Sequence, residues 1–144
     1  GKLDIDNEAL KKLDIVAASV HSNFNMTEDE MTERIIKAMK NPHLNILFHP
    51  TGRLIGKREP YKLDILKIIK AAKEFGIVLE VNSFPERTDL KDTHIRLAIE
   101  HGVKLVVDSD AHAPQHFGFL DLGVAQVRRG WGSKADVLNT KPVE

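Results

Sequence analysis

Four histidine and aspartate residues, His21, His49, Asp110 and His112, carry the chemistry legible in this chain. Asp110 and His112 are two apart, so in an extended or tightly turned segment both side chains can project the same way and grip one ion. Imidazole with carboxylate suits zinc, manganese or iron. An ion so held can polarise a phosphoryl oxygen and lower the pKa of its water, and two or more can stabilise both attacking and leaving oxygens. The chain has no cysteine, which excludes disulfides and thiolate sites alike. A lone strand-end His or an isolated Asp-x-His is more often structural; joint placement is what favours metal here.

That placement comes from the elements. Four short runs rich in Ile, Val and Leu read as strands buried on both faces: Ile15–Val20, Ile46–Phe48, Ile77–Val81 and Val103–Val107. Between them lie helix patterns. Thr27 and Glu30 form a capping-box signal ahead of Met31, Ile35 and Met39, an apolar face at four-residue spacing. Pro60 is expected to open a second helix that Gly76 closes. A third is expected from about Leu90 to His101, a fourth from Leu120 to Arg129, and Ser133 is expected to cap a last turn. Alternation of this kind predicts an α/β protein with a parallel sheet, open or closed into a barrel.

In such folds chemistry gathers at the C-terminal ends of strands. His21 follows the first strand, His49 the second, and Asp108 to His112 the fourth, while Glu80 and Asn82 end the third. All four strands therefore bring polar ligand-type groups to one rim. Arg53, Lys57 and Arg58 lie on the loop after His49 and are expected either to form a solvated face or to neutralise substrate phosphates. Glu86, Arg87 and Asp89, on the third rim loop, are expected to form a surface ion pair. His94 and His101 read as surface residues, His43 as a loop residue, and His116, near Asp110, as a solvated one. Trp131, beside Arg128 and Arg129, reads as a packing residue or a surface for base stacking.

The bulk numbers narrow the class. With 144 residues, 42% hydrophobic and 29% charged, the chain is expected to be a single domain of ordinary globular composition. A net charge of zero argues against binding nucleic acid through overall charge, though not through a local patch. No apolar run approaches the length of a membrane span, so a cytoplasmic protein with no membrane partner is the expectation.

Taken together, the segments Ala17–Ser22, His49–Arg53, Glu80–Asn82 and Asp108–His112 resemble the polymerase and histidinol phosphatase (PHP) superfamily. The stretches GRLIGKREPY from Gly52, GVAQVRRGW from Gly123 and DVLNT from Asp136 resemble, more narrowly, the C-terminal PHP domain of bacterial and archaeal family X DNA polymerases. The resemblance covers nearly the whole chain. It implies the C-terminal portion of a distorted TIM-like (βα)7 barrel, with residues 1–144 as a single partial PHP domain. It also implies a cluster of up to three divalent transition metals, manganese or zinc with iron as an alternative.

The resemblance matches His21, His49, Asp110 and His112 to metal ligands, with Glu80 and Asn82 behind them and Arg53, Lys57 and Arg58 toward the substrate. The implied activity is metal-dependent phosphoester hydrolysis by a metal-activated hydroxide. In the polymerase-linked branch it takes the form of manganese-dependent 3′–5′ exonuclease action on DNA 3′ ends. The family's upstream ligands, an opening His-x-His, further acidic and His ligands and a bridging Glu, have no match here. The expectation is therefore a fragment that is inactive alone and completed by an N-terminal remainder of the barrel. Two rival readings stay open: a small-molecule phosphatase of the histidinol-phosphatase type, and a non-catalytic structural module of a polymerase.

Overall fold

The computed structural model describes residues 1–142; Val143 and Glu144, the last two residues of the expected domain, lie outside them. The strands are β1 (Ala17–Ala18), β2 (Ile46–Leu47), β3 (Val78–Asn82) and β4 (Leu105–Asp108). The helices are α1 (Asn7–Leu10), α2 (Glu28–Met39), α3 (Ile65–Phe75), α4 (Asp92–Glu100) and α5 (Leu120–Arg129). Every strand pairs parallel with its neighbour in sequence, in the order β1-β2-β3-β4. A doubly wound sheet reverses its strand order at a switch point. None occurs among the described residues, and an unbroken sequential order is that of a barrel wall. The fold is α/β, a partial TIM-like arrangement.

The first two strands are shorter than their apolar runs. Ile15 is 65% exposed while Val16 and Val20 are buried. Among the described residues β1 has a partner on one side only, and the Asn45 side chain accepts the Val16 N–H at 2.8 Å where the ladder would otherwise begin.

Between strands, the helices follow their capping signals. In α2 the Glu30 N–H donates to Thr27 Oγ1, and the Thr27 N–H donates to Glu30 Oε2 at 2.9 Å. Its Met31, Ile35 and Met39 are buried. Full burial of side chains of this size contributes about 1.5–3 kcal/mol each. Gly76 ends α3 with φ +70°, a conformation that glycine adopts without steric cost. The fourth expected helix coincides with α5, and Ser133 forms a capping box with Asp136.

The second helix departs from expectation. It begins at Ile65, capped by Asp64, and not at Pro60. Tyr61 explains this. Its ring lies against Gly52, its hydroxyl donates to the Pro50 carbonyl at 2.8 Å, and its N–H donates to the Thr51 carbonyl at 3.1 Å. Those contacts tie the chain around Tyr61 to the loop after β2, and winding starts only once Asp64 can accept the Lys67 N–H.

The outer edge of β4 is covered by a side chain. Asn139 donates to the Val107 carbonyl at 2.7 Å and accepts the Val107 N–H at 3.2 Å, while Val137 bridges to Leu105. No helix among the described residues is long and apolar enough to cross a membrane.

Candidate metal centre

β1 delivers His21 and β2 delivers His49 to the same rim. Their ring centroids are 5.4 Å apart. His21 is exposed, with its Nε2 2.8 Å from Ser19 Oγ. His49 is buried, with backbone φ +30°, and its Nδ1 has no hydrogen-bond partner. Desolvation, with Arg87 and His21 adding repulsion, lowers its pKa to about 4. The ring is therefore neutral at pH 7, the form that ligates metal.

Behind His49 stands Glu80, whose Oε2 accepts the His49 N–H and whose Oε1 accepts from the Asn82 amide at 3.2 Å. Burial, followed by the neighbouring Asp108 carboxyl, holds the Glu80 carboxyl well above the usual range. Asn82 also donates to Asp110 Oδ2 at 3.2 Å, so one amide touches groups at the ends of β3 and β4.

The second ligand pair follows β4. Asp110 has φ +49°, and its Oδ2 also accepts from Arg87 Nε at 3.0 Å. Burial raises the Asp110 carboxyl, but the Asn82 and Arg87 contacts outweigh it and leave the pKa lowered. His112 is exposed; its Nδ1 lies 2.7 Å from the Asp110 carbonyl. A protonated Nδ1 on that carbonyl leaves Nε2 bare, which orients a ligating imidazole.

As donors these groups fit a divalent ion in chemistry: two imidazoles on one side, a carboxylate and an imidazole on the other, plus an unpartnered buried His49 nitrogen. They fit as partial ligand sets. Among the described residues, no three His, Asp or Glu side chains lie close enough to hold one ion together, whereas a structural zinc site takes four ligands.

Two of the three loop cations, Arg53 and Arg58, are turned back onto backbone carbonyls, while Lys57 stays exposed. Arg53 donates through Nε to the Arg87 carbonyl at 2.8 Å and through Nη2 to the Thr88 carbonyl. Arg58 donates to the Gly52 carbonyl at 2.6 and 2.9 Å and lies 4.2 Å over the Phe24 ring. Lys57 pairs with Glu86 at 2.8 Å. The expected Glu86–Arg87 pair is thus replaced by two others, because Arg87 turns inward to Asp110. In return for Arg53, buried Asp89 accepts the Thr51 and Gly52 N–H groups at 2.9 Å each. The loops after β2 and β3 are clasped in both directions.

Asp89, expected in a surface ion pair, is instead buried, and Arg87 turns inward; an acid directly preceding the buried Leu90 was the one available signal. His94, read as a surface residue, is half-buried, and desolvation lowers its pKa to about 4. Trp131, 79% exposed, is no packing residue. A hollow of about 1170 Å³ opens between Phe24, Arg58 and Tyr61 and is lined by none of the four candidate ligands. The rim chemistry, not that hollow, is the better guide to a site.

Fold and rim together define a sequentially ordered parallel α/β protein with His and Asp groups at its strand ends. No family model matches the chain. It is 41% identical over 144 residues to the DNA polymerase/3′-5′ exonuclease PolX of Bacillus subtilis (strain 168), covering all of this chain and 25% of that protein. It is 34% identical over 149 residues to a probable phosphatase of Thermoanaerobacter sp. (strain X514), covering 97% of this chain and 58% of that one. A probable phosphatase of Caldanaerobacter subterraneus subsp. tengcongensis is 36% identical over 130 residues, covering 84% and 49%. These likenesses are consistent with a PHP domain of the family X polymerases. The chain spans between a quarter and three-fifths of the length of these relatives.

Proposed function

We propose that this chain is part of a metal-dependent phosphoesterase that trims DNA 3′ ends, a manganese-dependent 3′–5′ exonuclease within a PolX-like protein. The observation that carries it is the meeting of His21 with His49 at the ends of neighbouring β1 and β2, and of Asp110 with His112 after β4 on the same rim. An ion bound there supplies charge for a phosphoryl oxygen and acidifies its water. The chain's own residues hold and aim: neutral His49 offers a nitrogen without losing a proton, Glu80 fixes its backbone, and Asn82 and Arg87 orient Asp110. Lys57, the most exposed of the loop cations, releases Glu86 to meet a DNA phosphate, while Arg53 and Arg58 shape the loop that presents it. The further ligands come from the rest of the full-length protein, and this chain alone is inactive.

A second reading, hydrolysis of small phosphomonoesters, draws support from the intramolecular ties of Arg53 and Arg58, which leave fewer free cations for a long polyanion. It also fits the names of the phosphatase relatives.

The test is manganese-dependent release from a 3′-labelled oligonucleotide by the full-length protein, beside a small amino-alcohol phosphate and a His49→Ala variant. Cleavage of DNA, lost in the variant, is expected. Turnover of the small ester alone favours the second reading. A protein that binds no transition metal and cleaves neither is a structural module.

A further inference from the structure

His116 lies on the 3-10 turn Pro114–Phe119 that follows the Asp110–His112 pair. It is not a solvated loop residue. Its ring stacks on Phe119 at 5.3 Å and meets Phe84 edge-on at 5.3 Å, and Phe84 and Phe119 are themselves 5.5 Å apart. Its Nδ1 accepts the backbone N–H of His112 at 3.1 Å. The His112 side chain is 76% exposed, so little packing holds that residue in place. Two bonds act on it: the Asp110 carbonyl aims the ring, and His116 fixes the backbone. The Phe84 N–H donates to Asn82 Oδ1 at 3.0 Å, and Asn82 also contacts Asp110. A continuous path therefore runs from the end of β3 through Phe84 and His116 to His112.

We infer that His116 is a positioning residue: its imidazole, gripped between Phe84 and Phe119, pins the His112 backbone and thereby sets the His112 ring for an ion, without itself being a ligand. The inference rests on the metal-centre reading for its consequence, but the pin itself is a property of the folded chain. Bonds behind a ligand typically change metal affinity by ten- to a hundredfold when removed.

Two variants separate acceptor from bulk. His116→Phe keeps an aromatic ring between Phe84 and Phe119 and loses the acceptor. His116→Asn keeps an acceptor oxygen near the Nδ1 position and loses most of the ring. Two measurements on the full-length protein separate the pin from its consequence: hydrogen exchange of the His112 amide without metal, and Mn²⁺ affinity by titration calorimetry. His116→Phe is expected to lose protection at the His112 amide and to bind Mn²⁺ about tenfold more weakly, with an unchanged melting temperature. His116→Asn is expected to restore most of both.

Unchanged His112 exchange in His116→Phe overturns the inference. So does an affinity loss in His116→Asn as large as that of His112→Ala, which would make His116 a ligand. If the wild type binds no Mn²⁺, the metal-centre reading fails, and with it the role of His116 in positioning a ligand, whatever the exchange shows.

Discussion

The two halves of the rim are built differently. His49 is 6% exposed, and the loop that follows it is bonded to buried Asp89. The His112 side chain is 76% exposed and leans on one backbone carbonyl, while the His112 backbone N–H donates to a neighbouring histidine. Both halves carry a ligand candidate in left-handed backbone, His49 at φ +30° and Asp110 at φ +49°. Such conformations persist only where surrounding contacts over-determine them. For His49 those contacts are the core-side bonds of Glu80 and Asp89; for Asp110 they are side chains of the third loop. One half is set by the fold, and the other is set by its neighbours.

The largest effect should come from cutting the clasp on the His49 side. Asp89→Ala leaves the buried Thr51 N–H without its acceptor and the Gly52 N–H with the His49 carbonyl alone, and is expected to lower stability by about 2–3 kcal/mol in urea unfolding. Asp89→Asn, which keeps an acceptor oxygen, should recover most of it. Burial raises the Asp89 carboxyl to about 6 in spite of the Thr51 and Gly52 bonds. A raised folded-state value stabilises fully below the unfolded value near 4, and that contribution fades as pH rises through about 6. The Asp89 contribution should therefore fall by on the order of 2 kcal/mol between about pH 4 and 6, read as the stability of the wild type minus that of Asp89→Asn, which cancels the opposing rise from His49 and His94. A difference between wild type and Asp89→Asn that stays flat or climbs across this window would contradict the buried environment assigned to Asp89.

Next in size is Arg53. If it is a clasp residue, Arg53→Ala lowers stability by about 1.5–3 kcal/mol, the range for hydrogen bonds to a charged group. The salt dependence of DNA binding then stays as it was. If it is a phosphate contact, stability barely moves and the salt slope falls by about one. Smallest is Lys57→Ala. Its pairing with Glu86 is between exposed side chains, so a change under about 0.5 kcal/mol is expected. A several-fold rise in KM for an oligonucleotide at unchanged stability would give Lys57 the substrate role proposed above.

Much of this architecture was legible in the chain. The Thr27–Glu30 box and the Met31, Ile35, Met39 face are local signals, and local signals survive folding. The strand runs placed His21, His49, Asp110 and His112 at strand ends because apolar β segments announce where they stop. The parts that escaped reading depend on distant partners. Pro60 looked like a helix start because nothing nearby tells that Tyr61 will hold the chain to Pro50 and Thr51. Arg53 and Arg87 looked like surface cations because their acceptors lie more than twenty residues away in sequence. Asp89 looked like a surface ion-pair partner; its buried role exists only once two loops have met.

Strand order that repeats chain order has a kinetic consequence. Each strand needs only the one before it as a template, and the intervening helix is made in between, so loop closure stays short at every step. A ribosome releasing the chain from its N-terminus can lay down β1, β2, β3 and β4 in turn, with Asn139 arriving last to seal the final edge.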